Sequence, residues 1–294
     1  MSRPLESVPN FSEGRNRVTI DALAEALRSG GAGLLDVHAD EDHNRSVFTL
    51  VGSGDELVES LLAGIGRAAE LIDLREHEGA HPRIGAADVV PLVPLAAADE
   101  ERARQAAARI AVRVGVELGL PVFLYGALGE GRGPAFFRQG GLDELQRRVD
   151  AGELAPEHGP SRLSDSAGAV LVGVRRPLIA FNVNLRGTLD AAREIAALVR
   201  ETGGGFPGVR ALGLELPSAG LVQVSMNVED WEAAQLHSIV AEVERQAAER
   251  GAEVAGSELV GLMPAGAAAA AAGAALRIDG FEASRVLELR LLDD

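Results

Sequence analysis

Apolar positions along this chain follow two spacings, and the alternation between them predicts short strands separated by longer helices. Helical spacing, with apolar residues three and four positions apart, occurs at 17–29, 55–73, 98–119, 188–201 and 236–251. Short runs rich in apolar and β-branched residues predict strands at 5–10, 33–39, 46–52, 87–95, 121–126, 178–185, 211–217, 221–228 and 257–263. An alanine-rich stretch predicts a terminal helix over 266–276, because alanine is the best helix former.

The predicted elements appear twice in the same order. The residues up to 95 and those from 178 onward both give β-α-β-β-α-β. We therefore expect an α+β fold with two subdomains of the ferredoxin-like (split β-α-β) type. Each subdomain would have an antiparallel-rich sheet with helices on one face, and the cleft between them would bind a ligand. The predicted domains are 1–170, which includes a loop-rich connector at 127–168, and 171–294.

Charge and residue usage narrow the possible partners. The formal net charge of -16 argues against general nucleic-acid binding, which depends on Lys and Arg neutralising phosphates. The chain has 0 cysteines, which excludes disulfides and thiol nucleophiles. The first residues, MSRPLESVPN, have no apolar signal region, and no run approaches the ~18 apolar residues of a membrane span. We expect a cytoplasmic protein without membrane contacts.

One short motif suggests a metal site, but its surroundings oppose that interpretation. His77 to His81 (HEGAH) fits the H-E-x-x-H pattern of zinc proteases, which requires a helix to bring both imidazoles onto one face. Gly79 lowers helix propensity in the middle of the motif. Pro82 disfavours a helical backbone at His81. The segment is therefore predicted to be a loop that binds no metal, with His77 in a structural role.

Several longer motifs, in order along the chain, resemble the formiminotransferase family. They are VPNFSEGRN (8–16), LLDVHADEDHNRSVFTLVG (34–52), HPRIGAADVVPLVPL (81–95), PVFLYG (121–126), LIAFNVNL (178–185), VQVSMNV (222–228) and GSELVGLMP (256–264). The resemblance implies transfer of a formimidoyl group from N-formimino-L-glutamate to N5 of tetrahydrofolate, with release of glutamate. Tetrahydrofolate would be a co-substrate in histidine degradation and one-carbon metabolism. A homodimer is also implied, as is a stand-alone transferase without a cyclodeaminase domain.

The resemblance also assigns roles to individual residues. The histidine of the H-P-R motif is catalytic in the family, so His81 is expected to act as general acid and base. Arg83 has a planar guanidinium suited to a substrate carboxylate, although it could instead pair with Asp88. The other predicted substrate-binding residues are Asn10, Arg45 and Asn182. Each also has a structural alternative, such as helix capping, solvation of a loop or hydrogen bonding in the core.

A connector segment is expected to bind folate. The residues that keep the letters and spacing of the family's folate segment are Gly159, Pro160, Ser161, Ser166 and Gly168. Two departures affect this prediction: residues 162–165 are more polar than expected, and His38 occupies a position where relatives often have an acidic residue. These departures leave open a non-catalytic folate-binding protein. N5-formyl transfer between glutamate and tetrahydrofolate is a second alternative, because both groups sit on N5 and pass through similar tetrahedral intermediates.

Overall fold

The computed structural model describes residues 4–292. The chain divides into two compact units, Met1–Pro177 and Leu178–Asp294. The division lies beyond the predicted boundary at 170/171, because a strand at Val170–Val174 belongs to the sheet of the first unit.

The first unit contains seven strands and five helices in its described part. The strands are β1 (Leu5–Ser7), β2 (Asn10–Phe11), β3 (Gly33–Asp40), β4 (Arg45–Gly52), β5 (Ala87–Val93), β6 (Val122–Gly126) and β7 (Val170–Val174). The helices are α1 (Arg17–Ser29), α2 (Gly54–Leu71), α3 (Glu100–Glu117), α4 (Pro134–Arg138) and α5 (Gly141–Asp150). Side chains fix the starts of the first two helices: Asn16 caps α1, and Ser53 and Glu56 form a capping box on α2.

All seven strands form one mixed sheet. Strands β1 and β2 both lie between β4 and β5 and run antiparallel to them, while β3 pairs with the other edge of β4. Strands β5, β7 and β6 continue the sheet in parallel. The antiparallel-rich arrangement was therefore predicted correctly only for β1 to β5. The parallel part was missed because β7, VLVGV, is buried along its whole length and has no alternating pattern.

Helices cover both faces of this sheet at one end. One core joins α1, α2 and α3 to the strands and includes Phe48, Val122 and Val172. A second core joins α4 and α5 to Phe123 and Leu171. Neighbouring residues of a strand point to opposite faces, so the two cores lie on opposite sides of β6 and β7. The predicted one-sided cover is wrong here, and the predicted connector contains helices α4 and α5 between its loops.

The second unit has an antiparallel sheet with the order β11-β8-β10-β9. Its strands are β8 (Ile179–Arg186), β9 (Val209–Leu216), β10 (Leu221–Val228) and β11 (Glu253–Val260). Its helices are α6 (Leu189–Val199), α7 (Leu236–Glu249), α8 (Ala265–Leu276) and α9 (Leu287–Leu292). The α+β class and the alanine-rich helix are thus confirmed, whereas the cleft stays a prediction. Among the described helices, none combines the length and apolar composition needed to cross a bilayer.

Candidate active site

His81 lies on a loop between α2 and β5, as the sequence predicts. Residues 72–86 contain no helix, so the H-E-x-x-H pattern lacks the geometry of a zinc protease. The loop also passes close to the turn between β3 and β4: a Cβ at Gly79 would lie 2.4 Å from the carbonyl oxygen of His43. In the described part of the chain, no three or more His, Cys, Asp or Glu side chains are grouped to hold a metal ion.

One hydrogen bond fixes which nitrogen of His81 is available for chemistry. Its Nδ1 lies 2.8 Å from the carbonyl oxygen of Pro82. A carbonyl oxygen only accepts hydrogen bonds, so Nδ1 must carry the hydrogen in the neutral ring. Nε2 then has a free lone pair. The imidazole is therefore held in the tautomer that can accept a proton at Nε2.

The surroundings of His81 keep it uncharged. The pKa of His81 is well below its ordinary value of 6.5, and desolvation is the largest cause. By surface area the residue is only partly buried. The positive charges of Arg45 and Arg138 and the neighbouring His43 lower that pKa further, against a smaller effect of the Pro82 carbonyl. At neutral pH the imidazole of His81 is thus uncharged.

Arg83 uses its guanidinium to hold the loop in place. It donates to the backbone carbonyl oxygens of His43 at 3.0 Å, Asn44 at 3.4 Å and His81 at 2.6 Å. Its Nη1 also contacts the ring of His77. Its Nε donates to His81 O at 3.1 Å as well, so all three guanidinium nitrogens are engaged and tie the His81 loop to the β3–β4 turn. Asp88, the alternative partner considered for Arg83, is paired elsewhere.

Arg138 and Asp88 form a buried ion pair beneath the loop. The Arg138 and Asp88 side chains are 15% and 3% exposed. The second carboxylate oxygen of Asp88 accepts from the amide of Ile84 at 2.7 Å, one residue after Arg83. Asp88 therefore joins α4 to the C-terminal end of the His81 loop.

Arg45, which begins β4, is like Arg83 a cation of this cluster with no carboxylate within ion-pair distance among the described residues. Asp40 contacts His43, and Asp88 pairs with Arg138. Burial is the main cause that lowers its pKa to about 10, and the charge of Arg138 adds to this effect. A partly buried, unpaired guanidinium beside an uncharged imidazole is a suitable site for a carboxylate.

The predicted folate segment divides into two parts. Its C-terminal part borders the His81 loop: the amide of Leu74 donates to Ser166 O at 2.8 Å, and Gly168 bridges Gly85. Gly168 has φ +68°, and a Cβ there would lie 2.1 Å from Ile84 O. Gly159 instead lies against Leu120, two residues before β6, and the next two residues, Pro160 and Ser161, are exposed.

The two predicted asparagines have different surroundings. Asn10 lies on β2 opposite Val47, and its amide donates to Val8 O at 2.8 Å. Asn182, only 4% exposed, donates to Glu258 at 3.0 Å and accepts from the amide of Met226 at 3.4 Å. Both amides form hydrogen bonds within the protein, and their role in substrate binding stays a prediction.

Sequence reasoning missed three residues of the cluster. Arg138 was overlooked because helices α4 and α5 were not predicted, although Leu142, Leu145 and Val149 have helical spacing in α5. Asp40 ends β3 and His43 lies in the turn that follows it; both are within the motif at 34–52, but that motif assigned neither of them a role.

An uncharged imidazole with a free Nε2 beside arginines is typical of acid–base enzymes that act on anionic substrates. Comparison with known proteins makes this class specific. Residues 4–175 match the formiminotransferase domain, N-terminal subdomain, and residues 180–279 match the formiminotransferase domain. The chain belongs to the formiminotransferase family.

Curated relatives cover nearly all of the chain. A glutamate formimidoyltransferase of Streptococcus pyogenes is 37% identical, with 99% of this chain and 100% of that protein covered. One from Thermoplasma acidophilum is 36% identical, covering 98% and 97%. A formimidoyltransferase-cyclodeaminase of Sus scrofa is 41% identical over 90% of this chain, which corresponds to 51% of the pig protein.

Proposed function

We propose that this protein transfers the formimidoyl group from N-formimino-L-glutamate to N5 of tetrahydrofolate and releases glutamate. The observation that carries the proposal is the tautomer of His81, whose Nδ1 bond to Pro82 leaves Nε2 free beside Arg45. Relatives with full-length similarity are named for this transfer.

His81 accounts for the proton movements that the transfer requires. N5 of tetrahydrofolate attacks the formimidoyl carbon, and the proton of N5 moves to Nε2 of His81. When the bond between that carbon and the glutamate nitrogen breaks, the proton moves from Nε2 to the leaving nitrogen. No net proton is consumed, and one imidazole serves first as base and then as acid.

Arg45 is proposed to bind a glutamate carboxylate. It is the unpaired cation next to His81, whereas the donors of Arg83 are already used by backbone carbonyls. The charge of Arg45 remains at neutral pH even with its lowered pKa of about 10. Arg83 then supports catalysis by fixing the loop instead of by touching substrate.

Tetrahydrofolate is proposed to bind near Ser166 and Gly168, because these residues border the His81 loop. We further infer that both units are split β-α-β folds of the ferredoxin-like type. The order β11-β8-β10-β9, with helices α6 and α7 between the strands, supports this for the second unit. A cytoplasmic homodimer completes the proposal.

The test is a donor comparison with purified protein. Incubation with tetrahydrofolate and N-formimino-L-glutamate should release free glutamate and yield an N5-substituted folate of the expected mass. Omitting tetrahydrofolate should abolish glutamate release, which separates transfer from hydrolysis. A parallel incubation with N-formyl-L-glutamate tests the formyl alternative. Folate binding without folate-dependent glutamate release from either donor would contradict the proposal.

A further inference from the structure

A second imidazole lies next to His81 and is held by a carboxylate. His43, 6% exposed, is in the turn after β3. Its Nδ1 lies 2.8 Å from Oδ1 of Asp40, and its backbone amide donates to the same oxygen at 2.6 Å. The pKa of Asp40 is lowered from its ordinary value of 3.8. Burial, which is the largest single influence, raises this pKa, but the hydrogen bonds from the side chain and backbone of His43 together outweigh burial. Asp40 is therefore an ionised acceptor at neutral pH.

His43 and His81 are held in the same tautomer. The carboxylate of Asp40 can only accept, so His43 carries its hydrogen on Nδ1 and has its lone pair on Nε2, as His81 does. The ring centroids are 6.3 Å apart, with the planes inclined by 56°. At this separation one water molecule can bridge the two rings.

The position of Asp40 gives this pair added meaning. Asp40 ends β3, and its side chain points to the same face of the sheet as that of His38, two residues earlier. Asp40 also lies opposite Arg45 in the strand register. A carboxylate is thus present on the same face, and it reaches His81 through His43.

We infer that His43, held by Asp40, is a positioning residue that relieves His81 of its proton during the transfer. This inference rests on the proposed function. The proton that Nε2 of His81 takes from N5 of tetrahydrofolate passes, through one water, to Nε2 of His43. The His43 imidazolium then pairs with Asp40. The proton returns by the same route to the leaving glutamate nitrogen as the carbon–nitrogen bond breaks.

Charge placement favours this route. Arg45 and Arg138 oppose a positive charge on His81, whereas the carboxylate of Asp40 contacts His43 directly. Charged or titratable groups on the elements around the two rings include Asp40, Glu41, Asp42, Arg45, His77, Glu78, Arg83, Asp88 and Arg138. The carboxylate of Asp40 lies within ion-pair distance of His43.

Asp40 could serve only to fix the β3–β4 turn. Two variants separate that role from stabilising the protonated form of His43. Asp40→Asn keeps an oxygen that accepts from the His43 amide but loses the negative charge. His43→Gln removes the imidazole. We expect each to lower kcat by about tenfold, which is less than the roughly 10²- to 10⁴-fold effect of a direct acid–base group because His81 is still present. The melting temperature and the Kd for tetrahydrofolate of both variants should stay near those of the wild type. His237→Gln, which replaces a histidine on α7, is the control and should have the wild-type kcat.

A double variant tests the connection to His81. In a His81→Ala background, His43→Gln should cause no further loss of kcat, because both residues act on one proton. Wild-type kcat in Asp40→Asn would overturn the inference in favour of turn fixing. A fall in kcat that parallels a fall in melting temperature would also overturn it.

A histidine titration by NMR tests the coupling without relying on transfer activity. The His81 midpoint should move to higher pH in His43→Gln, because a like charge on His43 no longer opposes protonation. An unchanged His81 midpoint would overturn the inference. Absence of glutamate release by the wild-type protein would instead contradict the proposed function, so the two failures are distinguishable.

Discussion

A single backbone contact determines how His81 can react. The histidine of a loop sequence could present either nitrogen, and only the 2.8 Å contact to Pro82 O assigns the hydrogen to Nδ1. Pro82 therefore has two effects: it keeps the segment out of a helix, and its carbonyl orients the imidazole. The sequence predicts the first effect. The second depends on the folded loop.

The lowered pKa of His81 leads to a prediction about pH. Its charged form is disfavoured in the folded protein, so the neutral base persists below the ordinary value of 6.5. Activity that requires this base is lost as pH falls through the folded pKa. We expect the acidic limb of the kcat/KM profile for the free enzyme to lie below pH 6.5. An acidic limb above that value would contradict the assignment.

Arg45 gives a second prediction at the scale of one residue. Arg45→Gln removes the unpaired cation while keeping a polar side chain, so the acidic donor should bind more weakly. A hydrogen bond to a charged group contributes about 1.5–3 kcal/mol, which corresponds to roughly a 10- to 100-fold rise in KM for N-formimino-L-glutamate. Arg17→Gln, at an exposed ion pair on α1, should leave KM near wild type. Equal KM values for the two variants would exclude Arg45 from substrate binding.

At the scale of elements, the His81 loop and the β3–β4 turn form one substructure. Arg83 donates to carbonyl oxygens in both segments, and the amide of Ala80 donates to Asp42 O at 3.0 Å. The sequence places Arg83 in the H-P-R motif, but which acceptors its side chain binds depends on where the β3–β4 turn lies. This is why a carboxylate-binding role was the natural expectation from sequence.

Arg83→Lys tests the structural role of this residue. Lysine keeps the charge but has fewer donors and no planar fork, so it cannot reproduce the contacts to three carbonyls. We expect faster hydrogen exchange in residues 77–84 and a lower kcat, with little specific change in donor KM. A selective rise in donor KM, with unchanged exchange in the loop, would indicate that Arg83 binds the carboxylate after all.

Gly168 joins the predicted folate segment to the His81 loop. Gly168→Ala would force a left-handed residue with a Cβ 2.1 Å from Ile84 O. The control Gly152→Ala also has positive φ, +71°, but meets nothing within 4 Å. The control should lose about 1–2 kcal/mol of unfolding free energy from backbone strain alone. Urea unfolding should show a larger loss for Gly168→Ala, and equal losses would mean that the close approach is unimportant.

Elements with a clear period were predictable, and those without one were not. The strand at 221–228 and the helix at 17–29 were predicted with the observed bounds. Strand β7 was missed because burial on both faces removes the alternation. Helices α4 and α5 were missed because Pro134, Gly140 and Gly141 resemble loop residues, although here they stand at helix starts.

At the scale of the whole molecule, local charge opposes the overall charge. The chain carries a net charge of -16, yet Arg45, Arg83 and Arg138 gather around His81. Net charge excluded nucleic acid from the expected partners but could not locate this cluster, because its members come from β4, a loop and α4. Only the fold brings them together. Such a local concentration of cations favours the binding of an anionic small molecule.

The most direct test of the central claim is to measure turnover and folate affinity in one variant, His81→Ala. We predict that kcat for formimidoyl transfer falls by roughly 10²- to 10⁴-fold, while the Kd for tetrahydrofolate and the melting temperature stay close to wild type. This separation is expected because the imidazole acts on protons that move during the reaction and contributes little to the bound ground state. Turnover within about threefold of wild type would contradict the assignment of His81 as the acid–base catalyst.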